Sequence, residues 1–236
     1  MAKRSMLSRI PLPSRVEHTL DSALDRALSV QRPAVLAYLD RMRKKNPKMT
    51  PGQVQEQLER HYRTAVMGVG GASGAAAAMP GVGTAASLAS GAAEITAFVS
   101  ASAMYVLALA ELHSVPTGDP QLRRALVLSV LVGEGGAAVI AGETGGDPHW
   151  AKVLGRSTSK DKVSGINSRL GRMLVGRFGA RQGALLFGRA LPLGIGAGVG
   201  AAGNAVLAKG VIKSARRAFG PPPANFPARV VDATPA

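Results

Sequence analysis

The sequence predicts an all-α fold, a helical bundle, and three observations point to it. Apolar residues recur at helical spacing through the first seventy positions. Helix-start pairs of the Thr-Pro and Asp-Pro kind punctuate the rest. No sustained alternation of β-branched and aromatic residues occurs in 236 residues, and the long uncharged stretches are rich in Ala, the best helix former.

The elements follow in order. Ser14-Arg15-Val16-Glu17 has the form of a capping box, and Val16, Leu20, Leu24 and Leu28 then lay an apolar stripe along one face. Pro33 opens a second helix, with Leu36, Leu39 and Met42 leading into the basic run Arg41, Arg43, Lys44, Lys45. Thr50-Pro51 reads as an N-cap followed by Pro at the first helical position, where no amide partner is lost. Val54, Leu58, Tyr62, Ala65 and Val69 continue at helical spacing. Pro80-Gly81-Val82-Gly83 reads as a turn and Thr84 as the next cap. Asp119-Pro120 and Asp147-Pro148 repeat the cap-plus-Pro pattern, and the Pro-rich stretch after Phe219 predicts a disordered tail over 221–236.

Composition excludes several chemistries. No Cys is present, so disulfides, thiolate metal sites and a Cys nucleophile are ruled out. The formal net charge is +15, distributed as +7 over 1–63, −2 over 64–112, +6 over 113–189 and +4 over 190–236. An uncharged block therefore sits between basic ones. The apolar run of a secretory signal is missing behind Lys3, Arg4 and Arg9, where Ile10-Pro11-Leu12-Pro13 follows, so the N-terminus is expected on the cytoplasmic side. These patterns divide the chain into basic amphipathic helices (1–63), a Gly/Ala-rich hairpin with a following helix (64–142), and a basic helix with a Gly-rich C-terminal helix (143–220).

Thr64 to Ala93 holds no charged residue, and 7 Gly with 11 Ala fill most of it. Ile95–Ala110 and Ala190–Ala208 are likewise uncharged over 16 and 19 residues, close to the roughly 20 that a membrane span needs. Small residues at i, i+4 make the faces Gly83/Ser87/Gly91 and Gly196/Gly200/Asn204, which suit close helix packing in membranes. Gly costs about 1 kcal/mol per helix-interior position in water, and the basic flanks fit a hairpin with both ends cytoplasmic. Lys209, Lys213, Arg216 and Arg217, like Arg41–Lys45, suit anionic headgroups. Membrane association is the expectation; a tightly packed Gly/Ala bundle in water is the alternative.

Few residues offer chemistry. Gly198-Val199-Gly200-Ala201-Ala202-Gly203 matches a dinucleotide fingerprint in letters, but it follows a helix-like run and lacks the downstream acid. No Walker lysine motif is present, and His18, His61, His113 and His149 lack metal-ligand spacing. Glu94 and Glu111 are the acids of the uncharged block and Glu134 interrupts an apolar run. These three are the candidate functional acids, because ionisable groups at membrane depth are costly; the alternative is that Glu94 and Glu111 sit near helix ends or pair with a nearby arginine. Glu143, Asp147 and His149 share a Gly-rich loop with Trp150. No catalytic residue, metal or cofactor is expected. Nucleic acid is disfavoured because aromatics, 4% of the chain, are too few for base stacking.

Two stretches resemble the bacterial EcsC-like protein family. One runs from Tyr105 through Glu111-Leu112-His113-Ser114 to Asp119-Pro120-Gln121-Leu122-Arg123. The other runs from Arg189 through Pro192, Gly196, Gly200, Gly203 and Asn204 to Phe219. Where the family has Tyr-Gly after the long helix, this chain has Leu112-His113-Ser114. The resemblance implies an α-helical protein of the bacterial inner membrane or its transport machinery, with no catalytic residues to carry over.

The sequence reading is thus a non-enzymatic membrane-associated helical protein. Its partner would be anionic lipid, a membrane protein or a second copy of the chain, at the inner membrane or its cytoplasmic face. The competing reading is a soluble cytoplasmic enzyme or ligand binder using Glu94, Glu134 and His149.

Overall fold

In a computed structural model the described residues are 14–29, 32–77, 84–147, 149–157, 160–189 and 195–227. Side-chain surroundings are described for 18–29, 32–68, 93–143, 145–147, 149–154, 161–177 and 203–227. Among the described residues run nine helices and no strand. They are α1 (Ser14–Leu28), α2 (Arg32–Lys45), α3 (Pro51–Ala77), α4 (Thr84–Leu112), α5 (Pro120–Val132), α6 (Glu134–Thr144), α7 (Trp150–Ser157), α8 (Lys160–Arg189) and α9 (Ile195–Phe219). The all-α class is as the sequence predicts.

Local chemistry sets the helix starts. At α3, the Gln53 amide donates to Thr50 Oγ1 (3.3 Å) and the Thr50 amide donates to Gln53 Oε1 (2.8 Å), a reciprocal capping box. At α5, Asp119 Oδ1 accepts from the amides of Gln121 (2.7 Å) and Leu122 (3.1 Å), with Pro120 in the first turn. Glu134 does not interrupt an apolar helix. Gly133, at φ +79°, ends α5 and leaves Glu134 as the first residue of α6. The two helices then approach closely at Gly136, where a Cβ would collide with the Ser129 carbonyl oxygen and lie 2.8 Å from the Ser129 Cα.

Cross-contacts fix how the helices run. Gln55 meets His113 and Tyr62 meets Ser102, so α3 and α4 are antiparallel. Glu59 meets Arg216 and Val66 meets Asn204, so α9 is antiparallel to α3 and runs with α4. Gln121 meets Asn167 and Leu131 meets Arg177, so α5 and α8 are parallel.

A single buried apolar cluster joins these elements. It includes Leu20 and Leu24 of α1, Leu39 of α2, Leu58 of α3, Leu109 of α4, Leu128 of α5, Leu170 of α8 and Phe219 of α9. At its centre lies Ala93–Leu112, with mean hydropathy 1.7 and 72% of the segment buried inside the protein. Among the described residues it is the one helix long and apolar enough to cross a membrane by length and composition. Its side chains are covered by α1, α2, α3, α5 and α9.

The tail expected to be disordered is in part packed. Phe226 lies against the core, and the Arg43 guanidinium sits 4.4 Å from the centre of its ring. Contact with the core and with a cation gives half-buried Phe226 a hold on the folded body. Residues 228–236 lie outside the described residues.

Candidate functional site

The uninterrupted apolar stripe read along α3 conceals buried polar residues. Gln55 and Glu59 share a helix face with Tyr62 and Val66, and are 7% and 4% exposed. The carboxylate of Glu59 accepts from Arg216 Nε (2.7 Å) and Nη2 (2.6 Å), a bidentate pair that raises the Arg216 pKa further. Gln55 Oε1 lies 3.1 Å from His113 Nε2, where a neutral imidazole donates. Burial lowers the His113 pKa to about 4, with help from the positive charges of Lys152 and His149. Neither Gln55 nor Glu59 stood out in the sequence. The signal that finds them is a polar residue at i, i+4 inside an otherwise apolar stripe.

Glu111 is 1% exposed. It accepts from Arg32 Nε (2.9 Å), Arg32 Nη2 (3.2 Å) and Thr117 Oγ1 (2.8 Å), tying the start of α2 to the end of α4. Glu94 accepts from Asn204 Nδ2 (3.1 Å), which also donates to the Val66 carbonyl (3.2 Å). Asn204 therefore joins α3, α4 and α9 by hydrogen bonds, where the sequence placed it on a face of small residues. Gly83 lies outside the described residues. The backbones of Ser87 and Gly91 belong to α4 and those of Gly196 and Gly200 to α9, but their surroundings lie outside the described residues.

His149 Nδ1 donates to the Arg217 carbonyl (3.2 Å), thirteen residues along α9 from Asn204. At 1.5 Å per residue that is about 20 Å from the Glu94 contact. Glu94, Glu134 and His149 thus do not assemble into one pocket. No group of three metal-ligating side chains occurs among the described residues.

The basic residues divide by environment. Arg216 is exposed, and its guanidinium is engaged by Glu59. Arg43 stacks on Phe226, and Lys44 pairs with Asp40 at 2.8 Å within α2. Arg41, Lys45 and Lys209 are exposed. Lys213 and Arg217 are exposed too, 3.5 Å and 4.0 Å from Glu134. Steps of three and four residues put Val206, Lys209, Lys213 and Arg217 on one face of α9. Val206 is 69% exposed, the most of any large apolar residue among the described ones.

That outer face of α9 is the candidate site. Matched against family models, curated proteins and solved structures, the chain finds no counterpart in any of the three.

Proposed function

We propose that the chain is a non-enzymatic, membrane-associated helical protein that docks on an anionic bilayer through the outer face of α9. The observation carrying this reading is the exposed Val206 in line with Lys209, Lys213 and Arg217. An apolar side chain beside cations suits the boundary between acyl chains and charged headgroups. Each such cation contributes about 1 kcal/mol on an anionic surface, and the net charge of +15 supplies long-range attraction. The apolarity of Ala93–Leu112 is used inside the protein, so the reading is peripheral docking rather than spanning by that helix. The resemblance to the EcsC-like family agrees with a place at the cytoplasmic face of a bacterial inner membrane.

Flotation of the full chain with vesicles tests it. Binding to phosphatidylglycerol vesicles should exceed binding to phosphatidylcholine vesicles and weaken as salt is raised. Val206→Glu with Lys209→Gln should reduce it by about thirtyfold or more, from two lost contributions of roughly 1 kcal/mol each with an added repulsion. Equal binding to both lipids, or none at low salt, overturns the reading and leaves a protein partner or a soluble role in its place.

A further inference from the structure

A cleft of about 360 Å³ opens where α5 turns into α6 against α8 and α9. Gly133, Glu134 and Gly135 line one side, and Arg177, Lys213 and Arg217 the other. Three cations from two helices face one acid. That acid holds them loosely. Glu134 is 79% exposed, and its separations of 3.5 Å to Lys213 and 4.0 Å to Arg217 are too long for strong charge-assisted hydrogen bonds. Arg177 is more firmly placed, donating from Nη1 to the carbonyls of Leu131 (3.3 Å) and Val132 (2.8 Å) at the end of α5.

The glycines keep this space open. A Cβ at Gly133 would lie 3.2 Å from Arg177 Nη1, and one at Gly210 would lie 3.8 Å from Arg177 Nη2. Gly133 also provides no side-chain cap for α6, so the first amides of that helix gain no side-chain partner where they meet the cleft. Two surplus positive charges, planar and point-charge donors together, and a volume at the small end of ligand pockets define one ligand class. A tetrahedral dianion on a small organic group matches all three.

We propose that this cleft binds a phosphomonoester dianion through Arg177, Lys213 and Arg217, with the Glu134 carboxylate as a resident anion that the ligand displaces. The ligand is either a free phosphomonoester or the headgroup of a phosphatidic-acid lipid. In its lipid form the proposal rests on the membrane-docking reading; in its free form it stands apart from it.

Calorimetric titration of the full chain with glycerol 3-phosphate tests the free form, and flotation with phosphatidic acid against phosphatidylglycerol vesicles tests the lipid form. Lys213→Gln with Arg217→Gln should weaken binding at least about tenfold, the equivalent of one charged hydrogen bond. Glu134→Gln should tighten it, because the competing carboxylate is gone while the cations remain. Arg169→Gln with Arg172→Gln removes the same charge from an exposed part of α8 and should leave binding within about twofold. Solution binding with this mutational pattern assigns the free form. A phosphatidic-acid preference with the same pattern and no solution binding assigns the lipid form. Absence of both, equal loss in the α8 variant, or weaker binding by Glu134→Gln overturns the proposal. Vesicle binding without phosphomonoester preference overturns the cleft and leaves membrane docking standing. Solution binding without any vesicle binding does the reverse.

Discussion

Arg216 holds Glu59 with two parallel hydrogen bonds of 2.7 and 2.6 Å across 157 residues of sequence. The Glu59 side chain is nearly sealed from water, whereas the Arg216 side chain is 59% exposed. Removing Arg216 would leave a buried anion unpaired. A fully buried pair loses about 3–5 kcal/mol on such a change, and the exposure of Arg216 reduces this to about 2 kcal/mol. Arg216→Gln should therefore lower the urea midpoint clearly, and Glu59→Gln in the same chain should restore part of the loss. Lipid binding per folded molecule should barely change. A variant as stable as the parent would show that the pair does not hold the fold together.

Glu111 and Glu134 look alike in the sequence, each an acid beside a long apolar run. Their surroundings separate them. Glu111 accepts three hydrogen bonds at 1% exposure, and Glu134 sits in water at the start of α6. Glu111→Ala should cost about 3 kcal/mol in chemical denaturation by leaving Arg32 and Thr117 without their acceptor. Glu134→Ala should stay within about 0.5 kcal/mol. Similar costs at the two positions would contradict the described pairing.

Gly136 and Gly142 test where glycine is required. Both lie within α6, but a Cβ at Gly136 meets the Ser129 backbone while one at Gly142 meets nothing within 4 Å. Gly136→Ala should destabilise by about 2 kcal/mol through the forced separation of α5 and α6. Gly142→Ala should stabilise by about 0.5–1 kcal/mol, the helix-propensity difference. Thermal melts of the two single variants read both signs.

The helix starts were legible because they depend on a few adjacent residues. Thr50-Pro51 with Gln53 and Asp119-Pro120 each form their cap as written. The α5/α6 break at Gly133 was not legible, because the apolar run carries past it and only a positive φ at one glycine divides it. Ionic pairing was hidden for a related reason. Arg32 with Glu111 and Arg216 with Glu59 are separated by 79 and 157 residues, and no local spacing encodes such partners. Of the two readings an acid in an apolar context allows, membrane depth or pairing with an arginine, Glu111 shows the pairing, with an arginine distant in sequence. The cleft residue Arg177 lies among several arginines of α8, and nothing in their spacing distinguishes it.

His113 makes the stability of the fold depend on pH. It is 3% exposed, 3.1 Å from Gln55 Oε1 and 5.3 Å from the Phe219 ring centre, so protonation would place a cation in the core. Burial lowers its pKa from 6.5 to about 4. The unfolded chain takes up the proton near pH 6.5 and the folded one only near pH 4. The contribution to stability is therefore intact above pH 6.5 and is lost as pH falls from 6.5 toward 4. Between pH 7.5 and pH 5 the loss amounts to about 2 kcal/mol, from about 1.4 kcal/mol per pKa unit over the part of the window crossed. His113→Gln keeps a donor for Gln55 but cannot titrate, so its urea midpoint should fall less over the same interval. If parent and variant lose equal stability between pH 7.5 and pH 5, other groups carry the acid sensitivity and His113 is not held neutral by its burial between α3 and α9.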